Sequence, residues 1–207
     1  MQDVSINYEG HIVPTWLGTD CAAEMQRRLS GLEPKPDRFF VCSEAAIHEL
    51  CGGAAVFTAE ALGAPVEVVL MGTGEEEKSA ETLLAMAQQC MAGGVSKRSV
   101  VIALGGGVVL NVAGLLAALV YRGIRLVHVP TTLMAQHDVI TSLKTAVNLC
   151  GRKNNFGTYY ASILNLVDVG YLRTLPKPRK CTSKSTHTRT SKSPAAVVYR
   201  PSLTECL

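Results

Sequence analysis

The chain has 207 residues, 47% of them hydrophobic and 5% aromatic, which is enough apolar material for one full domain and at most a small second one. Its net charge of +3 is unevenly distributed: residues 177–207 carry seven Lys or Arg and the single acid Glu205, which leaves 13 basic and 16 acidic groups, a net of −3, in residues 1–176. A mildly acidic body argues against a nucleic-acid-binding surface there, so we expect no nucleic-acid partner.

The cysteines indicate a reducing environment. They show no CxxC spacing, their number is odd, and several lie inside apolar runs. Buried free thiols in the cytosol explain this pattern better than disulfides or a zinc site. The N-terminus has no basic region followed by an apolar one, so we expect no secretory signal and a cytoplasmic location. The cysteines are Cys21, Cys42, Cys51, Cys90, Cys150, Cys181 and Cys206.

The N-terminal third of the chain predicts strands alternating with helices. Residues 4–17 alternate loosely, which is typical of a hairpin or of edge strands. Helices are predicted at residues 20–32 and 44–62, the second with a break at Gly52-Gly53. Short buried strands are predicted at residues 38–42 and 66–71, and a loop at 72–78 follows. Ser79 is then a plausible N-cap for another helix.

The middle of the chain has an apolar run that ends in three glycines. Residues 100–104 predict a buried strand, and residues 105–107 are all glycine. A helical pattern over residues 109–121 and an apolar strand at 124–129 complete one βαβ unit. A turn without Cβ atoms lets backbone N–H groups approach a phosphate, and the following helix N-terminus contributes its positive dipole end. The unit therefore predicts a nucleotide site.

The same stretch is long enough to cross a bilayer, because residues 100–121 carry no charge. Three consecutive glycines, the polar Asn111 and the concentration of β-branched residues before the glycines fit a strand, a turn and a helix better. We therefore expect no transmembrane segment and no membrane partner.

Residues 131–148 predict a polar segment made of a loop and a helix. Lys144 and Asn148 are four apart and would share one helical face. The apolar neighbours of Lys144 favour a desolvated lysine, suited to phosphate binding or proton transfer, over one that snorkels from a helix end. His137 alone is more typical of a structural histidine than of a catalyst.

Buried strands separated by helices, the last at residues 163–167, predict an α/β fold with a parallel sheet. In such a sheet the loops after the strands converge at one edge. Polar clusters follow the predicted strands and would ring one crevice. These clusters are Ser43-Glu44, Gly74 to Lys78, Gly105-Gly106-Gly107 and Pro130-Thr131-Thr132.

Each cluster also has a plain structural interpretation. Glu44 either accepts hydrogen bonds from a ribose diol or favours a helix N-terminus electrostatically. Glu75 and Lys78 match a solvated charge run, and Thr131 and Thr132 match an ordinary cap. Their joint placement after successive strands favours the functional interpretation. The sequence has no HExxH or similar ligand spacing, so it predicts no metal site.

Seven segments occur in a specific order and with specific spacing. They are GEEEK at 74–78, GGGVVLNVAG at 105–114, RGIRLVHVPTT at 122–132, HD at 137–138, KTAVN at 144–148, KN at 153–154 and YLRTLP at 171–176. This set resembles the sugar-phosphate cyclases related to 3-dehydroquinate synthase, over roughly residues 36–176. Asn111 replaces an Asp usual in dehydroquinate synthases and Ser142-Leu143 replaces a Gly-Gly, so the branch of the 2-deoxy-scyllo-inosose synthases is more similar. Leu110 and Arg152 depart from glycines common to both branches.

The resemblance implies a Rossmann-like parallel sheet in an NAD-binding domain over residues 1–176. It implies the reaction of that branch in aminoglycoside biosynthesis: NAD oxidises glucose 6-phosphate, phosphate leaves, the hydride returns and an aldol step closes the carbocycle. Lys144, Asp138 and Asn148 are the implied catalytic residues, with Lys144 assisting proton movement at the oxidised carbon. The implied cofactor-binding residues are Glu44, Glu75, Lys78, Gly106, Gly107, Asn111, Thr131, Thr132, Lys153, Asn154 and Thr174.

The family's helical C-terminal domain, which supplies a Glu and two His to a divalent metal such as cobalt or zinc, is not recognisable after Pro176. Residues 177–207 form a basic, Ser/Thr-rich tail that we expect to be disordered or to result from a frameshift. Only His187 and Glu205 remain there as candidate ligands. We therefore expect an incomplete cyclase. A 3-dehydroquinate synthase and a non-catalytic NAD-binding fragment stay open as alternatives, and a homodimer is one possible assembly.

Overall fold

The computed structural model describes residues 2–8 and 10–175, which form an α/β unit around a seven-stranded sheet. The sheet order is β1-β2-β9-β6-β5-β3-β4, and only the β1–β2 hairpin is antiparallel within it. Strands β7 and β8 form a separate antiparallel hairpin. The strands are β1 (Gln2–Tyr8), β2 (His11–Gly18), β3 (Phe39–Glu44), β4 (Val66–Met71), β5 (Val100–Gly105), β6 (Arg125–Pro130), β7 (Lys144–Leu149), β8 (Arg152–Tyr159) and β9 (Leu164–Asp168).

Helices cover both faces of the sheet. Because successive side chains of a strand point to opposite faces, Phe39 and Val41 pack with the layer that contains α1 and α3, and Phe40 and Cys42 pack with the layer that contains α4 and α5. The central strand β5 is buried along its whole length. The helices are α1 (Cys21–Leu29), α2 (Ala45–Ile47), α3 (Gly53–Glu60), α4 (Ala80–Ala92), α5 (Gly107–Leu119) and α6 (Leu133–His137).

The predicted parallel α/β architecture is confirmed. The predicted bounds of β1 to β6 and of β9 lie within two residues of the observed ones. Ser79 caps α4 as predicted, because its Oγ accepts from the Thr82 N–H at 3.1 Å. The predicted break at Gly52-Gly53 is a π-helical turn, His48–Gly52, between α2 and α3. The first helix is shorter than predicted and ends at Leu29.

The prediction of a helix reaching Asn148 is wrong. After α6 the chain continues as strand β7, in which Thr145 and Val147 are buried while Lys144 is exposed. This alternation has a period of two, so Lys144 and Asn148 lie on a strand and share no helical face. The hairpin turn Cys150-Gly151 has positive φ at both residues (52° and 71°), which is the geometry of a tight two-residue turn between antiparallel strands.

Among the described residues, no helix is long and apolar enough to cross a membrane. Cys21, Cys42, Cys51 and Cys90 are free and buried, as predicted, whereas Cys150 is free and exposed. The predicted tail, residues 177–207, lies outside the described residues, as do Pro176, His187 and Glu205.

Candidate functional site

A cleft of about 830 Å³ opens at the carboxyl edge of the sheet. It lies between the start of α5, the β7–β8 hairpin and a 3₁₀ turn, Glu75–Glu77, that follows β4. We call it the hairpin cleft. Most of its lining residues have polar side chains. Its lining residues are Glu75, Lys78, Gly107, Val108, Asn111, Met134, Asp138, Val139, Ser142, Lys144, Thr145, Ala146, Lys153, Asn154, Asn155, Gly157, Thr158 and Tyr159.

The glycine turn leaves the N-terminus of α5 open to the cleft. Gly106 occupies the N-cap position, and none of the described side chains caps the helix there. The first N–H groups of a helix have no partner within the helix, so those of α5 remain free for an anion. A Cβ on Gly105 would lie 2.7 Å from the Val109 side chain, so this position excludes a larger residue. The turn therefore fits the pyrophosphate of a dinucleotide.

Asn111 joins the glycine turn to the hairpin. Its Nδ2 donates to the Gly107 carbonyl at 2.8 Å, and its Oδ1 accepts from the Ala146 N–H at 3.3 Å. Its own backbone carbonyl accepts from Thr145 Oγ1 at 2.6 Å. Both ends of the amide are thus used within the protein, and the side chain fixes the distance between two walls of the cleft.

Lys78 is the desolvated lysine of this site. Its residue exposure is only 8%, and burial lowers its pKa from the ordinary value of 10.5. The neighbouring charge of Lys153 lowers the pKa further, and Glu75 partly opposes both effects. Its Nζ donates to Asn154 Oδ1. The sequence assigned desolvation to Lys144, and this was wrong: Lys144 is an exposed residue of β7, although it does line the cleft.

Glu75 contacts two polar side chains of the hairpin. Its Oε1 accepts from Asn148 Nδ2 at 3.2 Å and lies 3.3 Å from Lys153 Nζ. These two contacts, the Asn148 hydrogen bond first, lower the pKa of the Glu75 carboxyl. Asn148 Oδ1 in turn accepts from the Asn154 N–H at 2.9 Å. We call Glu75, Lys78, Asn148, Lys153 and Asn154 the lysine cluster.

The structure therefore joins two groups of residues that the sequence treated separately. Glu75 and Lys78 follow β4, whereas Asn148, Lys153 and Asn154 belong to the hairpin, and the backbone N–H of Asn148 donates to the Lys78 carbonyl at 2.7 Å. The predicted ring of polar residues at the carboxyl edge of the sheet therefore also includes residues of the separate hairpin.

The other predicted residues fall into two groups. Asp138 lines the cleft with Lys144. Thr131 is buried and Thr132 caps α6, accepting from the Ala135 N–H at 3.3 Å, so for Thr132 the structural interpretation holds. Within the described part of the chain, Glu44 and Thr174 are not among the residues that line the cleft. Thr174 Oγ1 donates to the Tyr171 carbonyl at 2.7 Å.

The sequence did not identify Asn155, Thr158 and Tyr159, which β8 adds to the cleft wall. All eight residues of β8 are exposed, so the strand has no hydrophobic periodicity. The available signal was local: two runs containing β-branched or aromatic residues flank Cys150-Gly151, which is a short turn sequence with a glycine.

The described residues do not fit a metal centre. Over residues 2–8 and 10–175 there is no group of three or more His, Cys, Asp or Glu that could hold an ion. Glu75 and Asp138 are the carboxylates in the wall of the hairpin cleft, and Glu75 already contacts Lys153 and Asn148.

Comparisons with known proteins identify the family of the chain. The family model of the 3-dehydroquinate synthase N-terminal domain matches residues 68–182, just over half of the chain. The 2-deoxy-scyllo-inosose synthase of Streptomyces fradiae is 43% identical over 183 residues, which are 88% of this chain and 42% of that protein. The chain therefore spans less than half the length of this relative.

Two crystal structures are similar in fold. A 2-deoxy-scyllo-inosose synthase superimposes with a TM-score of 0.77 at 30% identity, over 84% of this chain and 49% of that one. A 2-deoxy-scyllo-inosose synthase complexed with carbaglucose-6-phosphate, NAD+ and Co2+ gives a TM-score of 0.76 at 29% identity, over 83% and 47%. The chain belongs to the 3-dehydroquinate synthase family of sugar-phosphate cyclases, and its match lies in the N-terminal domain of that family.

Proposed function

We propose that this chain forms the NAD-binding half of a sugar-phosphate cyclase of the 2-deoxy-scyllo-inosose synthase type. The observation that carries the proposal is that Gly107, at the end of the glycine turn, and four residues of the lysine cluster line one cleft. These four are Glu75, Lys78, Lys153 and Asn154. The 43% identity to the Streptomyces fradiae synthase over 88% of the chain supports this branch. The related structure that holds NAD+ and carbaglucose-6-phosphate supports the ligand classes, a pyridine dinucleotide and a hexose phosphate.

The cofactor end of the cleft is the start of α5. Its free N–H groups and positive dipole end bind the pyrophosphate, and Gly107 lets the backbone approach it. Bound NAD supplies a reversible hydride acceptor for oxidation of a ring hydroxyl. Among the predicted cofactor residues at the neighbouring wall, Lys78 contacts Asn154 and Lys153 contacts Glu75, and these residues would orient the dinucleotide from there.

The substrate end of the cleft carries the exposed Lys144 together with Asp138. An exposed ammonium on a rigid strand attracts the phosphate of glucose 6-phosphate and neutralises it as it leaves. Lys144 is also our candidate for proton movement at the oxidised carbon, with Asp138 and Asn148 as the further catalytic residues. Among the described residues no cluster of three or more potential ligands could hold a metal ion.

A 3-dehydroquinate synthase is the second candidate function, and the name of the matching family model favours it. Both reactions need the same dinucleotide site, so the substrate must decide between them. Phosphate release from glucose 6-phosphate, compared with release from the heptulosonate phosphate used by dehydroquinate synthases, separates the two.

NAD binding is tested by calorimetric titration of the 207-residue chain. The decisive variant is Gly107→Asp. A Cβ on Gly107 meets only Val139 Cγ2 at 3.5 Å, and an acidic residue in the first turn of a helix is stabilising, so this variant should fold. Its carboxylate would nevertheless repel a pyrophosphate, and we expect NAD affinity to fall by at least about tenfold, or 1.4 kcal/mol.

The matched control is Gly53→Ala, which adds a methyl group where no atom lies within 4 Å. It should leave NAD affinity unchanged. Absence of NAD binding by folded wild-type protein would overturn the proposed function. Binding without phosphate release from either substrate would instead support the third possibility, a non-catalytic NAD-binding unit.

A further inference from the structure

The hairpin that carries the lysine cluster contains an irregularity. Pairing is regular from Lys144↔Tyr159 to Val147↔Phe156 and resumes at Leu149↔Arg152. Between these pairs Asn148 alone faces three residues of β8, residues 153–155. Such a bulge leaves backbone groups without ladder partners and bends the bulged strand.

The bulge explains how two consecutive side chains both reach the segment that follows β4, where Glu75 and Lys78 lie. In a regular strand Lys153 and Asn154 would point to opposite faces. Here Lys153 Nζ lies 3.3 Å from Glu75 Oε1, and Asn154 Oδ1 accepts from Lys78 Nζ. Asn154 has a left-handed backbone with φ of 55°, a conformation that asparagine tolerates better than most residues. The turn of the chain at Asn154 therefore brings both side chains to one side.

A single side chain bridges the two strands next to the bulge. Asn155 Oδ1 accepts from the Leu149 N–H at 2.9 Å, and Asn155 Nδ2 donates to the Leu149 carbonyl at 3.1 Å. The carboxamide thus bonds to both backbone groups of Leu149, the residue at which pairing with Arg152 resumes. Asn155 is the neighbour of Asn154 and contacts the residue that follows Asn148, so it holds the bulge from both strands.

We propose that Asn155 is a positioning residue of the hairpin cleft: its carboxamide bridges β8 to Leu149 at the end of the bulge and holds Lys153 and Asn154 against Glu75 and Lys78. Asn155 acts through these four residues. Only the expected effect of Asn155 on NAD binding rests on the proposed function. Without the carboxamide the bulge loses its partner, Asn154 leaves Lys78, and the lysine becomes more accessible. An alanine at this position leaves every residue of the lysine cluster unchanged in sequence.

The test compares Asn155→Ala with Asn7→Ala in the full 207-residue chain. Asn7 is a matched control because its exposed side chain accepts from the Gly10 N–H at 3.2 Å in the other hairpin, β1–β2. The first readout is competitive acetylation of Lys78 by trace acetic anhydride, followed by mass spectrometry, which needs no NAD. Asn155→Ala should raise Lys78 labelling relative to wild type, and Asn7→Ala should not.

The second readout is the NAD dissociation constant. We expect it to rise about tenfold in Asn155→Ala, the equivalent of losing the net stabilisation of one to two neutral hydrogen bonds. Lack of NAD binding by wild type would refute the proposed function but leave the labelling comparison to decide on Asn155. Lys78 labelling that is the same in Asn155→Ala and wild type would overturn the inference.

A third variant covers the case in which Asn155→Ala does not fold. Asn155→Asp keeps the acceptor for the Leu149 N–H but cannot donate to the Leu149 carbonyl. The extent of Lys78 labelling in Asn155→Asp should lie between the values for wild type and for Asn155→Ala. If Asn155→Ala does not fold, labelling in Asn155→Asp should still exceed that in wild type. A folded Asn155→Asp protein with wild-type labelling would also overturn the inference.

Discussion

Lys78 donates a hydrogen bond from Nζ to Oδ1 of Asn154, a residue 76 positions further along the chain. The contact ties the turn after β4 to the separate β7–β8 hairpin. It places a lysine residue that is only 8% exposed in the wall of the hairpin cleft. Because a buried ammonium is costly without a polar partner, the position of Asn154 and the protonation of Lys78 depend on each other.

This relationship predicts a pH dependence for stability. Burial lowers the pKa of Lys78 below 10.5, so between the folded and unfolded values the unfolded chain binds more protons. The contribution of Lys78 to the free energy of unfolding is therefore least favourable below its folded pKa and improves as pH rises toward 10.5. Urea unfolding of wild type and Lys78→Met across alkaline pH checks this. The difference in stability between them should shift in favour of wild type as pH rises, and a pH-independent difference would contradict the assignment.

A second prediction concerns the amide of Asn111. Asn111→Asp replaces the donor to the Gly107 carbonyl with an acceptor, so two acceptors would face each other. We expect a loss of about 1–2 kcal/mol in the free energy of unfolding and weaker NAD binding. Asn7→Asp is the matched control, since Asn7 only accepts, from Gly10, and an aspartate can do the same. Equal stability of the two variants in urea unfolding would show that the Asn111–Gly107 contact contributes little.

The sequence predicted the glycine turn because its signals are local. The buried strand β5 and the glycines that follow it are adjacent in the chain, and both leave a clear pattern. The hairpin gave no such pattern. A spacing of four between Lys144 and Asn148 is compatible with a helix or with a strand, and the exposed partner strand β8 shows no alternation.

The same difference explains which lysine was identified as desolvated. The apolar neighbours of Lys144 in sequence alternate between faces of β7, and Lys144 is on the exposed side. Lys78 follows three glutamates, which made it resemble a solvated charge, yet residues from the distant hairpin cover it. Burial that depends on contacts between remote segments cannot be obtained from local composition. The lysine cluster therefore needed the structure.

A third prediction tests how closely the hairpin strands must approach. A Cβ on Gly157 would overlap the Thr145 carbonyl oxygen and lie 2.6 Å from Ala146 Cα, and these backbone atoms cannot move away independently. Gly157→Ala should destabilise the chain by about 1–3 kcal/mol. It should also increase hydrogen exchange at the β7 amides.

Gly53→Ala serves as the control for this substitution. Gly53 has a helical backbone (φ −55°, ψ −40°) and no atom within 4 Å of the added methyl group. This variant should be as stable as wild type or more stable by up to about 1 kcal/mol, because alanine favours a helix over glycine. If both variants had the same stability, the close packing of β7 against Gly157 would be refuted.

The last prediction concerns His128, which lies in the middle of the sheet on β6. Neither ring nitrogen has a hydrogen-bond partner of normal geometry among the described residues. Burial lowers the pKa of the imidazole from 6.5 to about 4, and the Asn165 side chain opposes this only in part. The unfolded chain therefore binds the proton more readily between pH 6.5 and pH 4. Full stability is present above pH 6.5 and falls as pH decreases through this window, by on the order of 3 kcal/mol.

Acid titration of the free energy of unfolding tests this prediction. His128→Leu removes the titrating group from a buried position and should flatten the decrease between pH 6.5 and pH 4. His11→Gln is the matched control, because His11 is exposed on β2 and its replacement should leave the decrease in place. The same slope in wild type and His128→Leu would show that His128 does not titrate on unfolding. Any loss of stability below pH 4.5 would then belong to carboxylates with a depressed pKa, such as Glu24 at about 2.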